Sequence, residues 1–243
     1  MSVKWISHRG ESIDAPENSL PAFKLSLERK TDGMECDVHL TADQVVVVSH
    51  DPTTARMGDR DLTIAETCFD ELVKVNISGA FEQYPDEHIH ALEDTFQYLG
   101  EGREYYVELK PGCSALVPAV KKILKKHGMS PDQIVIISFD RELIALSKQQ
   151  MPEYRALLLT GLSSDMTVEK LLEDLRSIQA DGVDAVADEK VITAEFVRKL
   201  HDAGMFVAVW RVDQPGQARR LIERGVDSIT SNRAAKLRDL LSK

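Results

Sequence analysis

The sequence predicts an α/β fold, a (β/α)8 TIM barrel with a small insertion after the second strand unit. Short runs of Val, Ile and Leu alternate along the chain with longer amphipathic segments. These apolar runs are continuous, as in strands that are buried on both faces of a parallel sheet. A doubly wound open sheet would give the same alternation and remains the alternative at this stage.

Nine apolar runs are candidates for strands. They are Val3–Ser7, Gly33–Val38, Gln44–Ser49, Tyr105–Leu109, Ile134–Ser138, Arg155–Leu159, Val183–Ala187, Phe206–Trp210 and Asp227–Thr230. If Gly33–Val38 and Gln44–Ser49 are two arms of one bent element, eight βα units remain. Eight such units in 243 residues match the size of a TIM barrel.

Amphipathic segments between these runs are candidates for helices. They are Ser19–Arg29, Ser114–His127, Arg141–Met151, Thr167–Gln179, Thr193–Ala203, Pro215–Arg224 and Arg233–Leu241. Asn18 is predicted to be the N-cap of the first helix, with Pro21 in its first turn. Thr63 and Glu66 have the spacing of a capping box before a helical segment that reaches about Lys74.

Residues 51–103 interrupt this alternation. The segment is long, polar and irregular, and it contains "ARMGDRD" and "GAFEQYPDEHIHA". We expect it to be an inserted subdomain in a βα loop of a single domain that spans residues 1–243. Because such loops form the active face of a barrel, the insertion could shape substrate choice.

Composition limits the classes of partner. The net charge of -10 disfavours nucleic acid and stable association with anionic membranes. An anionic small-molecule substrate would need local positive charge, from a few Arg or Lys residues or from a metal ion. Three scattered cysteines, Cys36, Cys68 and Cys113, indicate free thiols in a reducing compartment. The chain shows neither a signal-like segment nor a transmembrane run, so we expect a cytoplasmic location. The oligomeric state does not follow from the sequence.

Acidic residues interrupt two of the apolar runs where barrel enzymes carry their catalytic groups. Glu35 and Asp37 are two positions apart on one strand and so point to the same face. Glu108 has a similar position near the end of the next parallel strand. Three converging carboxylates would repel one another unless a cation neutralised them, and oxygen ligands favour Mg²⁺, with Ca²⁺ as the alternative. Each carboxylate alone could instead be a solvated strand end.

Histidines and basic residues occupy the same strand ends. His8 and His50 could act as general acid and general base, because imidazole titrates near neutral pH. Arg9 and Lys110 could bind an anion beside the cation, or pair with the carboxylates as salt bridges. Together these residues fit hydrolysis of a phosphate diester, with charge stabilised on the phosphoryl oxygens.

The ordered motifs "HRG…PENS", "ECDVHLTADQVVVVSHDPT", "VELKP", "ISF", "VAVWRVDQP" and "GVDSITSNR" resemble those of the glycerophosphodiester phosphodiesterase family along nearly the whole chain. The resemblance implies a (β/α)8 barrel, one divalent cation, and hydrolysis to an alcohol and sn-glycerol 3-phosphate. It implies that His8 and His50 are the acid/base pair, that Glu35, Asp37 and Glu108 bind the metal, and that Arg9 and Lys110 contact phosphate.

The same resemblance implies supporting residues. Glu17 and Asn18 match the family's "PENT" element, and Trp210 matches an aromatic residue near the substrate. Phe139 follows "IIS" in a similar position, although core packing explains either aromatic residue equally well. Arg211 and Asp213 replace the Thr and Asn that are usual in the family, which leaves the leaving alcohol undetermined.

Several alternatives stay open. The resemblance does not say which histidine is the acid, nor whether water or the substrate's 2-hydroxyl is the nucleophile. A related phosphodiesterase acting on lysophospholipids, similar to a lysophospholipase D, is the second functional reading. A catalytically inactive barrel that binds phosphorylated ligands is the third, and the presence of all five metal and histidine positions disfavours it.

Overall fold

A computed structural model describes residues 3–162 and 166–242, and nine strands form one sheet within them. The strands are β1 (Lys4–Ser7), β2 (Gly33–Leu40), β3 (Val46–Val48), β4 (Glu104–Leu109), β5 (Ile134–Ser138), β6 (Arg155–Thr160), β7 (Gly182–Val186), β8 (Phe206–Trp210) and β9 (Ser228–Ser231). All except β3 are parallel to their neighbours, and β1 pairs with both β2 and β9. This closure confirms the TIM barrel and excludes the open sheet.

Helices alternate with the strands and cover the outside of the barrel. They are α1 (Leu20–Glu28), α2 (Phe69–Leu72), α3 (Leu92–Thr95), α4 (Leu116–Lys126), α5 (Arg141–Gln150), α6 (Val168–Ser177), α7 (Ala194–Asp202), α8 (Pro215–Glu223) and α9 (Ala234–Leu241). Except for α2, whose Leu72 packs in a separate cluster, their apolar faces pack on the outward-facing strand residues in one large core. In the described part of the chain, no helix is long and apolar enough to cross a membrane.

The second and third strand runs form a hairpin. β2 continues to Leu40 and pairs antiparallel with β3, with Leu40 opposite Val46 and Val38 opposite Val48. The hairpin therefore matches the predicted bent element, and β3 lies outside the closed barrel. This arrangement carries the chain from the end of β2 back across the barrel rim and into residues 51–103.

Side chains fill the barrel interior in layers. In a TIM barrel, which has a shear of 8, the level of the residues advances by two positions for every two strands. Applied to the strand registers, this rule places inward-facing residues of alternate strands in common layers. One level holds Ile6, Tyr106, Leu157 and Ala208; the next, toward the carboxyl ends, holds Glu35, Ile137, Asp184 and Thr230; the next holds His8, Glu108, Leu159 and Trp210. The barrel interior is therefore apolar in the layer of Ile6 and Tyr106 and becomes polar toward the carboxyl ends of the strands.

Residues 51–103 contain two short helices, α2 and α3, and two single turns of 3₁₀ helix, Ile64–Glu66 and Phe96–Tyr98. A small separate cluster of buried side chains holds part of this segment against the hairpin. It consists of Val47, Ile64, Leu72, Val75, Ile77 and Ile89. Burial of these side chains explains how a largely polar segment keeps a fixed position beside the barrel mouth.

Two predicted helix caps were wrong. Ser19 is the N-cap of α1, because its hydroxyl accepts from Ala22 N at 3.3 Å. Asn18 has a left-handed backbone (φ 57°) that turns its side chain away from the helix. The expected capping box at Thr63 is a single 3₁₀ turn, and among the described residues no side-chain cap bond forms there.

Candidate active site

The structure brings the predicted site residues together at the carboxyl ends of the strands. His8 and Arg9 follow β1, Glu35 and Asp37 lie on β2, and Glu108 lies on β4. A cleft of about 390 Å³ opens among these strand ends. Its lining includes His8, Arg9, Glu35, His50, Glu108, Ile137, Phe139, Leu159, Asp184, Trp210 and Thr230.

Glu35, Asp37 and Glu108 form a buried cluster of carboxylates. One oxygen from each lies within 4.8 Å of the others. Burial, followed by repulsion from Asp37 and Glu108, raises the pKa of Glu35 well above its usual range. Burial and Asp37 likewise raise the pKa of Glu108 to about 7. Three oxygen donors at this spacing fit a hard divalent cation, which would relieve the repulsion.

Asp37 contacts two basic side chains. It shares one of them with Glu108, because Lys110 Nζ also lies 2.7 Å from Glu108 Oε1. Its Oδ1 lies 2.6 Å from Lys110 Nζ, and its Oδ2 accepts from Asn18 Nδ2 at 2.8 Å and lies 3.1 Å from Arg9 Nε. Burial alone would raise the pKa of Asp37, but Lys110 and then Arg9 outweigh it and hold that pKa well below its usual range. Asn18 therefore supports the site as a hydrogen-bond donor to this carboxylate.

Arg9 connects the carboxylates to the insertion. Its backbone N–H donates to Glu35 Oε2 at 2.8 Å, and its guanidinium donates to Glu17 Oε1 at 2.8 Å. Glu17 also accepts from Arg56 Nη2 at 2.7 Å, and Arg56 Nε lies 2.5 Å from Asp51 Oδ2. Arg56 thus holds two acidic residues of the site together, a role that the sequence analysis missed.

His50 is oriented by its neighbour in the chain. The Nδ1 atom of His50 lies 2.6 Å from Asp51 Oδ1. Because an ionised carboxylate only accepts hydrogen bonds, Nδ1 carries a proton and Nε2 is the atom left for a substrate. The carboxylate therefore fixes the orientation and the tautomer of the His50 ring.

His8 is oriented by residues from the other end of the chain. Its Nδ1 lies 2.6 Å from Asn232 Oδ1, while Asn232 Nδ2 donates to Asp213 Oδ2 at 3.2 Å. An amide oxygen only accepts, so Nδ1 of His8 is protonated. Burial, and then the charge of Arg9, lowers the pKa of His8 to about 4. His8 is therefore neutral at pH 7 and carries a lone pair on Nε2.

An aromatic pair forms one wall of the cleft mouth. The rings of Phe139 and Trp210 meet edge to face, with centroids 5.5 Å apart and an interplanar angle of 84°. Phe139 is 44% exposed, which is more than core packing would leave. Near this wall, Arg211 pairs with Asp213, because its Nε donates to Asp213 Oδ2 at 3.0 Å. Arg211 and Asp213, the two residues that differ from the family's usual Thr and Asn, thus pair with each other beside His8 and Asn232.

Two further polar side chains line the cleft, and neither belongs to the site residues predicted from the sequence. Asp184 and Thr230 are buried, and Asp184 Oδ1 and Thr230 Oγ1 have no hydrogen-bond partner in the described part of the chain. Burial, and then repulsion from Glu108, raises the pKa of Asp184 to about 8. The available signal was an acidic residue inside the apolar run "GVDAV".

A wider cleft of about 1290 Å³ lies at the opposite, amino-terminal end of the barrel. Its charged side chains pair with one another: Glu104 Oε1 lies 2.6 Å from Lys4 Nζ and 3.2 Å from Arg155 Nη1. Catalytic groups of TIM barrels come from the carboxyl ends of the strands, whereas this end contributes stability. The chemistry is therefore placed at the smaller cleft.

Comparison with known proteins identifies the family of the chain. A sequence profile of the glycerophosphoryl diester phosphodiesterase family matches residues 8–236. The chain is 30% identical to a glycerophosphodiester phosphodiesterase of Caldanaerobacter subterraneus subsp. tengcongensis, over 100% of this chain and 99% of that protein. It is 27% identical to one from Bacillus subtilis, over 95% and 83% of the two chains.

A solved structure shares the fold. It is a phosphodiesterase from Oleispira antarctica in complex with the product sn-glycerol 3-phosphate, with a TM-score of 0.90 and 24% sequence identity. The similarity covers 100% of this chain and 98% of that chain. At 24% identity, the structural match shows the barrel fold alone. The family itself is shown by the profile match over residues 8–236.

Proposed function

The chain belongs to the glycerophosphoryl diester phosphodiesterase family, and from this premise we propose that it hydrolyses glycerophosphodiesters to an alcohol and sn-glycerol 3-phosphate. The observation that carries the proposal is the buried cluster of Glu35, Asp37 and Glu108, with His8 and His50 in the same cleft. A metal-binding set beside two histidines suits attack on a phosphate diester.

Glu35, Asp37 and Glu108 would hold one divalent cation, Mg²⁺ or alternatively Ca²⁺. Their donor atoms are all carboxylate oxygens, and the raised pKa values of Glu35 and Glu108 reflect burial and mutual repulsion that Arg9 and Lys110 only partly offset. Both features fit a hard cation. When bound, the cation would supply positive charge to the phosphoryl oxygens.

Arg9 and Lys110 would add positive charge on the protein's side of the phosphate. Both are largely buried, and both contact Asp37, so their positions are fixed before a substrate binds. Fixed charges of this kind stabilise a developing phosphoryl charge without reorganisation. The guanidinium of Arg9 can bind two oxygens, whereas Lys110 acts as a point charge.

We infer that His8 is the general base and His50 the general acid. The neutral imidazole of His8 would accept the proton of the nucleophile at Nε2. As the nucleophile's oxygen bonds to phosphorus, the bond from phosphorus to the alcohol breaks. His50, held by Asp51, would then donate its Nε2 proton to the departing alcohol oxygen.

The nucleophile would be water or the 2-hydroxyl of the substrate's glycerol. Attack by the 2-hydroxyl would form a cyclic phosphate that water then opens. Turnover in ¹⁸O-labelled water with rapid quenching distinguishes the two routes, because only the second passes through a cyclic phosphate that can be trapped.

The residues at the cleft mouth would determine which leaving alcohol is accepted. We propose that Phe139 and Trp210 contact this group, and that residues 51–103 act as a subdomain of the single 1–243 domain that borders it. Phe139 and Val186 are 44% and 38% exposed at the ends of β5 and β7. These exposed apolar side chains favour a lysophospholipid as the second candidate substrate.

The test of the proposed function is release of sn-glycerol 3-phosphate from glycerophosphocholine by the full chain with Mg²⁺ or Ca²⁺. Lysophosphatidylcholine in a parallel assay tests the second candidate. Faster turnover of glycerophosphocholine supports the first proposal. Turnover of the lysophospholipid alone would replace it with the second.

A further inference from the structure

Asp184 and Thr230 are polar groups that the hydrolysis proposed above does not use. Asp184 is 1% exposed and Thr230 is 2% exposed, and both line the cleft. Within residues 3–162 and 166–242, no side chain or backbone group hydrogen-bonds to Asp184 Oδ1 or Thr230 Oγ1. A buried polar group without a partner is costly, and such groups at a cleft are commonly satisfied by a ligand.

Both residues lie at the deep end of the cleft. The strand registers place them in one level with Glu35 and Ile137, directly below the level of His8 and Glu108. The next level down is filled by Ile6, Tyr106, Leu157 and Ala208, which are buried. A ligand group that reaches Asp184 and Thr230 therefore enters past the proposed catalytic residues and stops at this floor.

The chemistry of this deep end is mixed. A carboxyl group and a hydroxyl stand among the apolar side chains of Ile137 and Leu159, beneath Trp210. A short polyol matches such a surface, because its carbons can contact the apolar groups while its hydroxyls reach Asp184 and Thr230. A bulky or permanently charged group such as choline matches it poorly and would be left at the open mouth.

We propose that Asp184 and Thr230 form a hydroxyl-binding subsite. This subsite selects substrates with glycerol esterified to the phosphate and binds the glycerol moiety at the bottom of the cleft. This inference rests on the proposed function and adds the residues that recognise the glycerol part of the substrate. Either form of the Asp184 carboxyl serves, because the ionised form accepts from a hydroxyl and the neutral form also donates.

Binding of product-like monoesters tests the subsite without involving the nucleophile. Calorimetry on the Mg²⁺-loaded full chain would compare sn-glycerol 3-phosphate with 1-propyl phosphate, which lacks both hydroxyls. The wild type is expected to bind sn-glycerol 3-phosphate about tenfold or more tightly than 1-propyl phosphate, since losing partners for buried polar groups costs at least this factor. Equal affinities for the two ligands, or no binding of either, would overturn the inference.

Three variants locate the preference. Asp184→Ala should weaken the binding of sn-glycerol 3-phosphate about tenfold, and should change the affinity for 1-propyl phosphate by less than about threefold. Asp184→Asn, which still pairs with hydroxyls, should keep most of the preference. Thr230→Val is nearly isosteric and should lose part of it, so it serves if Asp184→Ala fails to fold. If a substitution weakened the binding of both ligands equally, these positions would act through the phosphate site, which would contradict the proposal.

The two proposals fail separately. Hydrolysis of glycerophosphocholine by the wild type reports on the proposed function, whereas the ratio of the two affinities reports on the subsite. An active wild type with no preference for the glycerol ester would overturn only the subsite. A preference without hydrolysis would support the subsite and contradict the catalytic proposal.

Discussion

Lys110 Nζ lies 2.6 Å from Asp37 Oδ1, with both side chains buried at the ends of neighbouring strands. The same Nζ lies 2.7 Å from Glu108 Oε1, but Asp37 also has Arg9 Nε at 3.1 Å. The three adjacent carboxylates therefore differ in the positive charge around them. The pKa of Asp37 is lowered, whereas the pKa values of Glu35 and Glu108 are raised by burial and mutual repulsion. Lys110 and Arg9 thus offset the charge of Asp37 and only part of the charge of the other two carboxylates, so the cluster still favours a cation.

Cation binding should therefore release protons and depend on pH. Below the pKa of about 7 for Glu108, the free protein holds a proton that a cation must displace. We expect the Mg²⁺ or Ca²⁺ affinity to rise between about pH 5 and pH 8. Calorimetry in buffers of different ionisation enthalpy measures the protons released, and Glu108→Gln should reduce both the release and the affinity. An affinity that is constant over this pH range would contradict the assignment.

The two histidines should differ in their sensitivity to the leaving group. His8→Ala and His50→Ala should each lower kcat by about 10²–10⁴ on glycerophosphocholine, the usual contribution of acid/base catalysis. With a nitrophenyl ester, whose leaving group needs no proton, the His50→Ala defect should shrink and the His8→Ala defect should persist. His127→Ala, which removes a histidine paired with Glu93 on the outside, is the matched control. The opposite pattern would exchange the two roles.

Arg56 should act on catalysis from outside the cluster. It holds Asp51, which orients His50, and Glu17, which binds Arg9. Arg56→Ala should lower kcat/KM by about fivefold, because partly exposed charge contacts of this kind contribute on the order of 1 kcal/mol. Arg60→Ala, at an exposed position of the same insertion, should change kcat/KM by less than about twofold. Equal effects of the two variants would remove Arg56 from the positioning network.

Asp184 should destabilise the cation-free protein at high pH. Its pKa is raised from 3.8 to about 8, so the folded state binds the proton more tightly than the unfolded state. Stability contributed by the protonated form is present near pH 4 and is lost as the pH rises toward about 8. Asp184→Asn should raise the free energy of unfolding by about 2–5 kcal/mol at pH 9 and have little effect at pH 4.

Thermal or urea unfolding in chelator at the two pH values measures this difference. Asp132→Asn, at an exposed loop position, is the control and should leave the pH dependence unchanged. A stabilisation by Asp184→Asn that is equal at both pH values would show that ionisation of Asp184 is not its cause.

The barrel and the cluster of site residues follow from local sequence features. Continuous Val, Ile and Leu runs identify the strands, and polar residues at their carboxyl ends identify the site, because barrel strands deliver those ends to one face. The resemblance added Glu17 and Asn18, although Asn18 supports Asp37 rather than capping α1. A pattern of cap residues cannot distinguish two adjacent polar positions when one of them adopts a left-handed backbone.

The residues that were missed depend on long-range closure. Asn232 meets His8 only because β9 pairs with β1, and Arg56 meets Glu17 only because the insertion folds back over the barrel mouth. No local period encodes such contacts. Asp184 was visible in the sequence as an acid in an apolar run, but its exposure to the cleft follows only from the barrel registers.

The most direct test of the central claim is release of sn-glycerol 3-phosphate from glycerophosphocholine by wild type, His8→Ala and His127→Ala. Each would be measured with Mg²⁺, with Ca²⁺ and with chelator. We expect release by wild type and His127→Ala with at least one cation, no release in chelator, and a loss of about a hundredfold or more in His8→Ala. Release that persists in chelator, or that survives the His8 substitution, would contradict a metal-dependent, histidine-assisted hydrolysis at this site.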